Sequence, residues 1–180
     1  MTRIGLRHQQ SHHHATEIDM VMMERAIQQA RLAWEADEVP VGAVLYRGDQ
    51  IIAEGHNLRE SNTDPTAHAE ILVIQEAARK LGEWRLNDCS LAVTLEPCPM
   101  CAGAIVNGRV GRLIYGATDP KAGAVDTMYE LCTDRRLNHH VEVLRGVLAP
   151  QCKGVLRDFF KERRRINKMA REGADSRRSA

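Results

Sequence analysis

The spacing of hydrophobic residues predicts an alternation of helices and strands along the chain. Apolar residues recur every three or four positions across residues 16–36, which is the period of an amphipathic helix. Two short strand-forming runs follow at residues 41–46 and 51–56. The turn residues at 47–50 that separate them predict an antiparallel hairpin.

The second half of the chain alternates strands with helices in the same way. Strands are predicted at residues 91–95, 110–115 and 141–147. One helix begins near Pro97 and ends at Gly108, and a closing helix begins after Pro150. This alternation indicates a central sheet with helices on both faces, so we expect an α/β fold of three layers with a mixed five-stranded sheet.

Two motifs contain side chains that suit a single zinc ion. His68-Ala69-Glu70 supplies one imidazole, and Pro97-Cys98-Pro99-Met100-Cys101 supplies two thiols. Zinc binds such ligands tetrahedrally, and three protein ligands leave the fourth position open to water, as in catalytic sites. Glu70 follows the histidine by two positions. We expect its carboxylate to move protons between that water and a substrate rather than to bind the metal.

The local sequence predicts that both motifs begin helices. Asp64-Pro65 is expected to cap and open a helix, with the histidine and glutamate of the first motif in its first turns. Cys98 and Cys101, three positions apart, would share one face of the second helix, whose positive end favours thiolates.

Each motif taken alone allows a simpler interpretation. A lone Cys-x-x-Cys can be a redox pair or half of a structural zinc site, and a lone histidine is usually a surface or core residue. A structural site needs four protein ligands, but Cys89, Cys132 and Cys152 stand apart in the sequence. Because the simpler interpretations must hold for both motifs at once, a catalytic site is the better prediction.

Composition narrows the class of protein. The chain has 180 residues, of which 43% are hydrophobic, enough for one domain with a sizeable core. No apolar run is long enough to span a membrane, and no secretory signal is recognised. Five cysteines, an odd number, fit a reducing compartment. We therefore expect a cytoplasmic protein without membrane contact.

Charge is distributed unevenly along the chain. Residues 161–180 contain eight Lys or Arg against three acidic residues, so this end is net +5 and the remainder −4. We expect a flexible extension at residues 1–19, including a solvated run from His12 to His14, a main domain at residues 20–168, and a basic, disordered tail at residues 169–180. Such a basic run is most often the solvated end of a helix, but beside a nucleobase site it would neutralise phosphates.

Together the two motifs match the signature of zinc-dependent nucleobase deaminases. From residue 38 to about residue 169, the chain resembles the bacterial tRNA-specific adenosine deaminases, which convert the wobble adenosine of tRNA to inosine. The matching stretches are EVPVGAV (38–44), DPTAHAE (64–70), TLEPCPMCAGA (94–104) and YGATDPK (115–121). The resemblance implies a cytidine-deaminase-like fold, one Zn²⁺ per subunit, a homodimer and the tRNA anticodon loop as partner.

The resemblance also implies a mechanism, which is hydrolytic deamination at adenine C6. Glu70 would take a proton from the zinc-activated water, deliver it to N1 and later protonate the departing amine, leaving inosine and ammonia. Backbone amides near Ala69 and Cys98 would bind the developing charge.

Other residues are candidate substrate contacts. Asn57 matches a family asparagine that hydrogen-bonds the flipped-out base, and Asp119 matches an aspartate near the ribose 2′-hydroxyl. Val41 and Leu95 would form apolar walls. From the residues alone, Asn57 is equally suited to capping a turn, and Asp119 to starting the loop before Pro120.

Phe159 and Phe160 directly precede the basic end of the chain. One ring would pack inward while the other stacks on an unpaired base, as in the recognition of RNA loops. Packing of both rings in the core is the alternative, and the sequence leaves the two interpretations open.

Three other functions remain open. A free-nucleobase deaminase for guanine or cytosine would share both motifs but would need no basic RNA-binding end. A non-catalytic zinc or RNA-binding module would have no use for Glu70. A thiol redox protein built on Cys98 and Cys101 would bind no stoichiometric zinc. Residues 125–128 also depart from the Gly-Ser-Leu common at this point of the family, which leaves their RNA contacts open.

Overall fold

The computed structural model describes residues 15–178, with side chains described as far as Glu172. The run from His12 to His14 and most of the predicted extension lie outside the described residues. The helices are Glu17–Glu35 (α1), Arg59–Asn62 (α2), Ala69–Leu81 (α3), Pro99–Asn107 (α4) and Ala149–Arg178 (α5). The strands are Gly42–Arg47 (β1), Gln50–His56 (β2), Ser90–Leu95 (β3), Arg112–Ala117 (β4) and Glu142–Arg145 (β5), and Leu131–Thr133 form a 3₁₀ turn.

The five strands form one mixed sheet in the order β2-β1-β3-β4-β5. Strand β1 pairs antiparallel with β2 and β3, whereas β3, β4 and β5 run parallel. The predicted hairpin and the predicted mixed sheet are therefore confirmed. Because Leu95 of β3 pairs with Ala117 of β4, these two parallel strands end at the same edge of the sheet.

Helices cover both faces of the sheet and produce the predicted three layers. On one face, α3 contributes Val73 and Ala77 to the core, and α4 contributes Ile105. On the other face, α1 buries Met23 and α5 buries Cys152. Successive strand residues point to opposite faces, so burial on both sides explains why β3 and β4 are apolar along most of their length.

Helix α1 begins close to the position that the sequence predicts. The Thr16 side chain accepts a hydrogen bond from the Asp19 N–H, and the Asp19 carboxylate accepts one from the Thr16 N–H, which makes a capping box. The same carboxylate is 1% exposed and also binds Tyr46 and Arg112. These hydrogen bonds join the start of α1 to the edge of the sheet where β4 begins. The helix thus starts inside the extension that was predicted to reach residue 19.

The predicted helix start at Pro65 is wrong. The Asp64 carboxylate instead accepts hydrogen bonds from the backbone N–H of Thr66 at 2.8 Å and from its hydroxyl at 2.7 Å, which closes a turn. Helix α3 begins later, at Ala69, with His68 as the extended N-cap residue. The side-chain bonds of Asp64 compete with helix formation and delay it.

Helix α5 continues through Arg178 and so includes most of the segment that was predicted to be a disordered tail from residue 169. Its side chains from residue 164 to residue 172 are exposed, and Lys168 lies 3.8 Å from Glu172, one turn further on. Pairs of opposite charge at this spacing support a solvated helix. In the described part of the chain, no helix is long and apolar enough to cross a bilayer.

Candidate active site

His68, Cys98 and Cys101 meet at the edge of the sheet where β3 ends. His68 is the N-cap of α3, and Cys98 is the N-cap of α4, which closely follows β3. The His68 Nδ1 atom lies 3.5 Å from Cys101 Sγ and 3.8 Å from Cys98 Sγ. All three ligand atoms lie within 4.8 Å of one another. The fold thus brings together the three ligands predicted from two separate motifs.

The spacing of these atoms fits a tetrahedral zinc ion. Bonds of about 2.0 Å to nitrogen and about 2.3 Å to sulfur at tetrahedral angles place the two ligand atoms about 3.5 Å apart. The observed separations of 3.5 and 3.8 Å agree with this value. One imidazole and two thiols are also donors that zinc prefers. Three protein ligands leave one coordination position for water or substrate.

The close spacing of the three side chains alters their proton affinities. A hydrogen bond with Cys101 lowers the pKa of Cys98 to about 4, against the opposing effect of burial, and the bond with His68 lowers it further. The bond with Cys98, together with burial, raises the pKa of Cys101. The bond with Cys98 also raises the pKa of His68. The three side chains therefore share protons that a bound metal ion would displace.

Glu70 lies in the first turn of α3, beside the cluster. Its side chain is 3% exposed, and its Oε2 atom has no hydrogen-bond partner among the described residues. Burial raises the pKa of this carboxyl, although its own backbone N–H and the nearby His68 oppose the change. Buried polar atoms are normally hydrogen-bonded, so the free oxygen indicates a place for water or substrate. A carboxyl with a raised pKa is suited to gaining and losing a proton near neutral pH.

A cavity of about 140 Å³ opens beside the cluster. Its lining includes Glu70, two of the ligands and four of the predicted substrate contacts, namely Val41, Asn57, Leu95 and Asp119. Binding sites for drug-sized molecules usually enclose roughly 300–1,000 Å³, so this cavity suits a single ring rather than a whole nucleotide.

The Asn57 side chain is 5% exposed, and both polar atoms of its amide form hydrogen bonds. Its Oδ1 atom accepts a hydrogen bond from the Ala69 N–H at 2.9 Å, and its Nδ2 atom donates to the Val39 carbonyl at 3.1 Å. These bonds fix the orientation of the side chain next to the cavity. The Ala69 N–H is bound to Asn57 in this structure, and its predicted contact with the reacting group stays a prediction.

The position of Asp119 is compatible with both interpretations that the sequence left open. Its Oδ1 atom accepts hydrogen bonds from the backbone N–H groups of Lys121 at 2.9 Å and Ala122 at 3.3 Å, so it does shape the loop after Pro120. The residue also lines the cavity. A contact with a ribose stays a prediction.

The two phenylalanines of α5 have different surroundings. Phe159 is 4% exposed and belongs to the packed side of the helix. Phe160 is 43% exposed and lies in a groove of about 450 Å³ whose lining includes Arg163, Arg164 and Val39. Val39 also lines the cavity at the metal cluster, so the groove and the cavity adjoin.

Sequence reasoning missed Glu96 as a site residue. Its side chain is 2% exposed, lines the cavity and accepts hydrogen bonds from the loop that contains Asp119. Burial raises the pKa of Glu96, but backbone N–H donors outweigh burial and hold the pKa below its ordinary value. The feature of the sequence that could have indicated this role is an acidic residue directly between an apolar strand and Pro97.

Proteins that join this kind of sheet to a His–Cys–Cys cluster with an adjacent glutamate form the class of zinc-dependent deaminases. The family model of MafB19-like deaminases matches residues 17–164. A tRNA-specific adenosine deaminase of Bacillus subtilis (strain 168) is 51% identical over 154 residues, which span 86% of this chain and 96% of the relative. Within this class, the chain belongs to the tRNA-specific adenosine deaminases.

Solved structures agree with this assignment. A chain from a study of A-to-I editing by tRNA:A34 deaminases at the wobble position of transfer RNA is 44% identical, with a TM-score of 0.73. The match covers 76% of this chain and 99% of that chain. A guanine deaminase from Bacillus subtilis is 41% identical with a TM-score of 0.52, but the match covers only 54% of this chain and 63% of that one.

Proposed function

We propose that this protein hydrolytically deaminates the wobble adenosine of tRNA anticodon loops to inosine. The observation that supports this most directly is the location of Glu70, a buried carboxyl with a free oxygen beside the His–Cys–Cys cluster. The adjoining cavity suits one ring, as expected for an enzyme that acts on a base turned out of its stack. Identity of 51% to a tRNA-specific adenosine deaminase supports the choice of base and RNA.

We propose one zinc ion per subunit, bound by His68, Cys98 and Cys101. When bound there, zinc would lower the pKa of a water molecule enough to provide a nucleophile near neutral pH. The deaminase family and the tetrahedral spacing of the three ligand atoms support this assignment.

Glu70 moves the protons in this mechanism. Replacing an amine by an oxygen at adenine C6 requires one proton at ring nitrogen N1 and another on the departing amine. Glu70 accepts a proton from the attacking water and donates it to N1, which makes C6 more electrophilic. It then transfers the remaining hydroxyl proton to the amine, which leaves as ammonia, and the proton on N1 stays in inosine. The raised pKa of Glu70 suits both transfers.

Residues of the cavity hold the base during these steps. Asn57 uses one N–H of its Nδ2 atom for the Val39 carbonyl, which leaves the second N–H for a ring acceptor. Val41, Leu95 and Asp119 line this cavity, and we propose that the first two pack against the ring while Asp119 contacts the sugar. Burial of the amide and its fixed orientation reduce the entropy lost on binding.

The groove beside the cavity provides a path for the RNA backbone. Phe160 offers an exposed ring for stacking on a neighbouring base, and Arg163 and Arg164 line the same groove. Exposed basic residues continue along α5 as far as Arg171. Their charge complements the phosphates of an anticodon stem-loop.

We propose that the enzyme acts as a homodimer in the cytoplasm. Met128 and Tyr129 are 52% and 53% exposed, and a second copy of the chain would cover such apolar surface. All five cysteines are free, which suits a reducing compartment. Sedimentation velocity at working concentration tests the dimer, and a stable monomer would contradict it.

The decisive experiment measures inosine in an anticodon stem-loop RNA with adenosine at the wobble position. Parallel reactions contain free guanine or cytidine, and each is run with wild-type protein and with Glu70→Ala. We expect inosine only from the RNA and only with the wild type. Release of ammonia from guanine, with the RNA unchanged, would be consistent with the zinc mechanism. It would show, however, that the substrate is a free nucleobase, as for the matched guanine deaminase.

A further inference from the structure

Glu96 is a buried carboxylate that binds a single loop through four backbone N–H groups. Its Oε2 atom accepts a hydrogen bond from the Asp119 N–H at 3.0 Å. Its Oε1 atom accepts bonds from the N–H groups of Val125 at 3.2 Å, Asp126 at 2.8 Å and Thr127 at 3.0 Å. Both ends of the loop at residues 119–127 therefore converge on one side chain.

The loop approaches this carboxylate so closely that a Cβ atom at Gly123 would force Glu96 or Thr127 to move. A Cβ atom on Gly123 would lie 2.5 Å from Glu96 Cδ and 2.2 Å from Thr127 Oγ1, far inside contact distance. The Thr127 hydroxyl also donates to the Asp119 carbonyl at 2.8 Å and so closes the loop on itself. The loop is packed around the carboxylate, which fills its centre.

Glu96 itself is rigidly held next to the catalytic cluster. Its backbone N–H donates to the Ala117 carbonyl at 2.8 Å, which extends the pairing of β3 and β4. Two positions further on is the predicted zinc ligand Cys98. The Ala124 N–H donates to the Pro97 carbonyl at 2.8 Å, so the loop is also joined to the chain segment that leads to this ligand.

The far side of the loop has an independent support. The Asp126 carboxylate accepts a hydrogen bond from the Tyr115 hydroxyl and lies 2.8 Å from Arg145. The near side of the loop, at Asp119 and Ala122, lines the cavity. The position of the cavity wall therefore depends on how firmly Glu96 binds the loop.

We propose that Glu96 is a positioning residue that holds the loop at residues 119–127 as one wall of the base-binding cavity. The effect on KM that we expect from this role depends on the proposed function. Hydrogen bonds from N–H groups to a buried carboxylate are charge-assisted and stronger than bonds to a neutral amide. In Glu96→Gln, an NH₂ group would face N–H donors, so part of the loop would detach and the cavity would lose its preformed wall.

A matched control separates positioning from general destabilisation. Asp19 is also a buried carboxylate, 1% exposed, but it binds Tyr46 and Arg112 at the opposite edge of the sheet. Asp19→Asn removes a comparable charge without altering contacts near the cavity. Glu96→Asp keeps the charge on a side chain shorter by one methylene and provides a milder variant should Glu96→Gln fail to fold.

The experiment compares the zinc-loaded wild type, Glu96→Gln, Glu96→Asp and Asp19→Asn. We expect Glu96→Gln to raise KM for the anticodon stem-loop about tenfold, with kcat within about twofold and zinc content unchanged. Glu96→Asp should restore part of the loss. Asp19→Asn should lower the thermal midpoint but leave KM unchanged.

Amide hydrogen exchange of the loop provides a test that needs no substrate. The N–H groups of Asp119, Val125, Asp126 and Thr127 should exchange faster in Glu96→Gln by about tenfold or more, and at the wild-type rate in Asp19→Asn. Equal exchange in the wild type and Glu96→Gln would overturn the proposal, as would an unchanged KM or a combined loss of kcat and zinc. If the wild type deaminates no RNA, the proposed function fails, and the exchange rates alone decide the role of Glu96.

Discussion

Phe159 and Phe160 are neighbours in the chain with ring centroids 5.3 Å apart, but the first ring is buried and the second is exposed. Phe159 is 4% exposed and packs edge-on against Trp34, with ring centroids 5.8 Å apart. Phe160 is 43% exposed and lines the groove beside the cavity. Successive residues of an α-helix are turned by roughly 100° from one another, so adjacent rings face different surroundings. The predicted division between one inward ring and one outward ring is confirmed, while base stacking stays a prediction.

Replacing these two rings should affect different properties. Phe160→Ala should weaken binding of the anticodon stem-loop about tenfold, because stacking on a base contributes about 1–3 kcal/mol. Phe159→Ala should instead destabilise the fold by about 3 kcal/mol through a cavity next to Trp34. RNA titration and denaturant unfolding of both variants separate the two effects. Equal RNA affinity of Phe160→Ala and the wild type would contradict the stacking role.

Glu70→Gln should abolish turnover while the protein keeps its zinc. The amide has nearly the shape of the carboxyl but cannot transfer protons, and loss of a general acid–base group typically costs about 10²–10⁴ in rate. Because burial raises the pKa of Glu70, its neutral replacement should leave the thermal midpoint unchanged or higher. Single-turnover inosine formation and metal analysis on the same sample check both statements. Normal turnover would exclude the proposed proton transfer.

Cys101→Ala should lose the metal ion. Its thiol lies 3.5 Å from His68 Nδ1 and is one of three ligands in the described cluster, and two remaining protein ligands bind zinc weakly. Cys89→Ala is the matched control, because Cys89 is also buried and free but does not belong to the cluster. Elemental analysis after purification should give about one zinc for the control and little for Cys101→Ala. Full zinc occupancy in both variants would show that the ligand set is wrong.

Stability should depend on pH through Asp19 in strongly acidic solution. Burial raises the pKa of Asp19, but hydrogen bonds from Arg112, Thr16 and Tyr46 outweigh burial and lower it from 3.8 to about 2. A lowered pKa means that the ionised network stabilises the fold fully above about pH 4 and loses this effect as the pH falls through about 2. The contribution is about 2 kcal/mol. Thermal midpoints between pH 2 and 7 should show this fall in the wild type and a flatter profile in Asp19→Asn.

The basic residues of α5 should govern the salt dependence of RNA binding. Arg164→Gln removes an exposed charge in the groove and should lower the slope of log K against log salt by about 0.7, the value per phosphate contact on single strands. Arg85→Gln serves as a control, because Arg85 stacks on Trp84 near the opposite edge of the sheet. An identical slope for Arg164→Gln and the wild type would remove this arginine from the RNA-binding surface.

Secondary structure was predictable wherever the hydrophobic period was strong. Helix α1, the hairpin of β1 and β2, and the strands β3 and β4 all lie within a few residues of their predicted positions. Prediction failed at Pro65, where the hydrogen bonds of Asp64 to Thr66 form a turn instead of a helix cap. The length of α5 was also missed, since a highly charged helix and a disordered tail have similar composition.

The sequence by itself determined the chemistry of the site. One imidazole, two thiols and a glutamate at these spacings suit a zinc ion with an open position, and the spacing of apolar residues determined the layers around it. Only the tertiary structure decided which side chains face the cavity. The orientation of the Asn57 amide, the burial of Phe159 against Trp34, and the four backbone bonds of Glu96 all join segments distant in the chain. Such contacts depend on the packing of strands and loops in three dimensions, and no local pattern of residues encodes them.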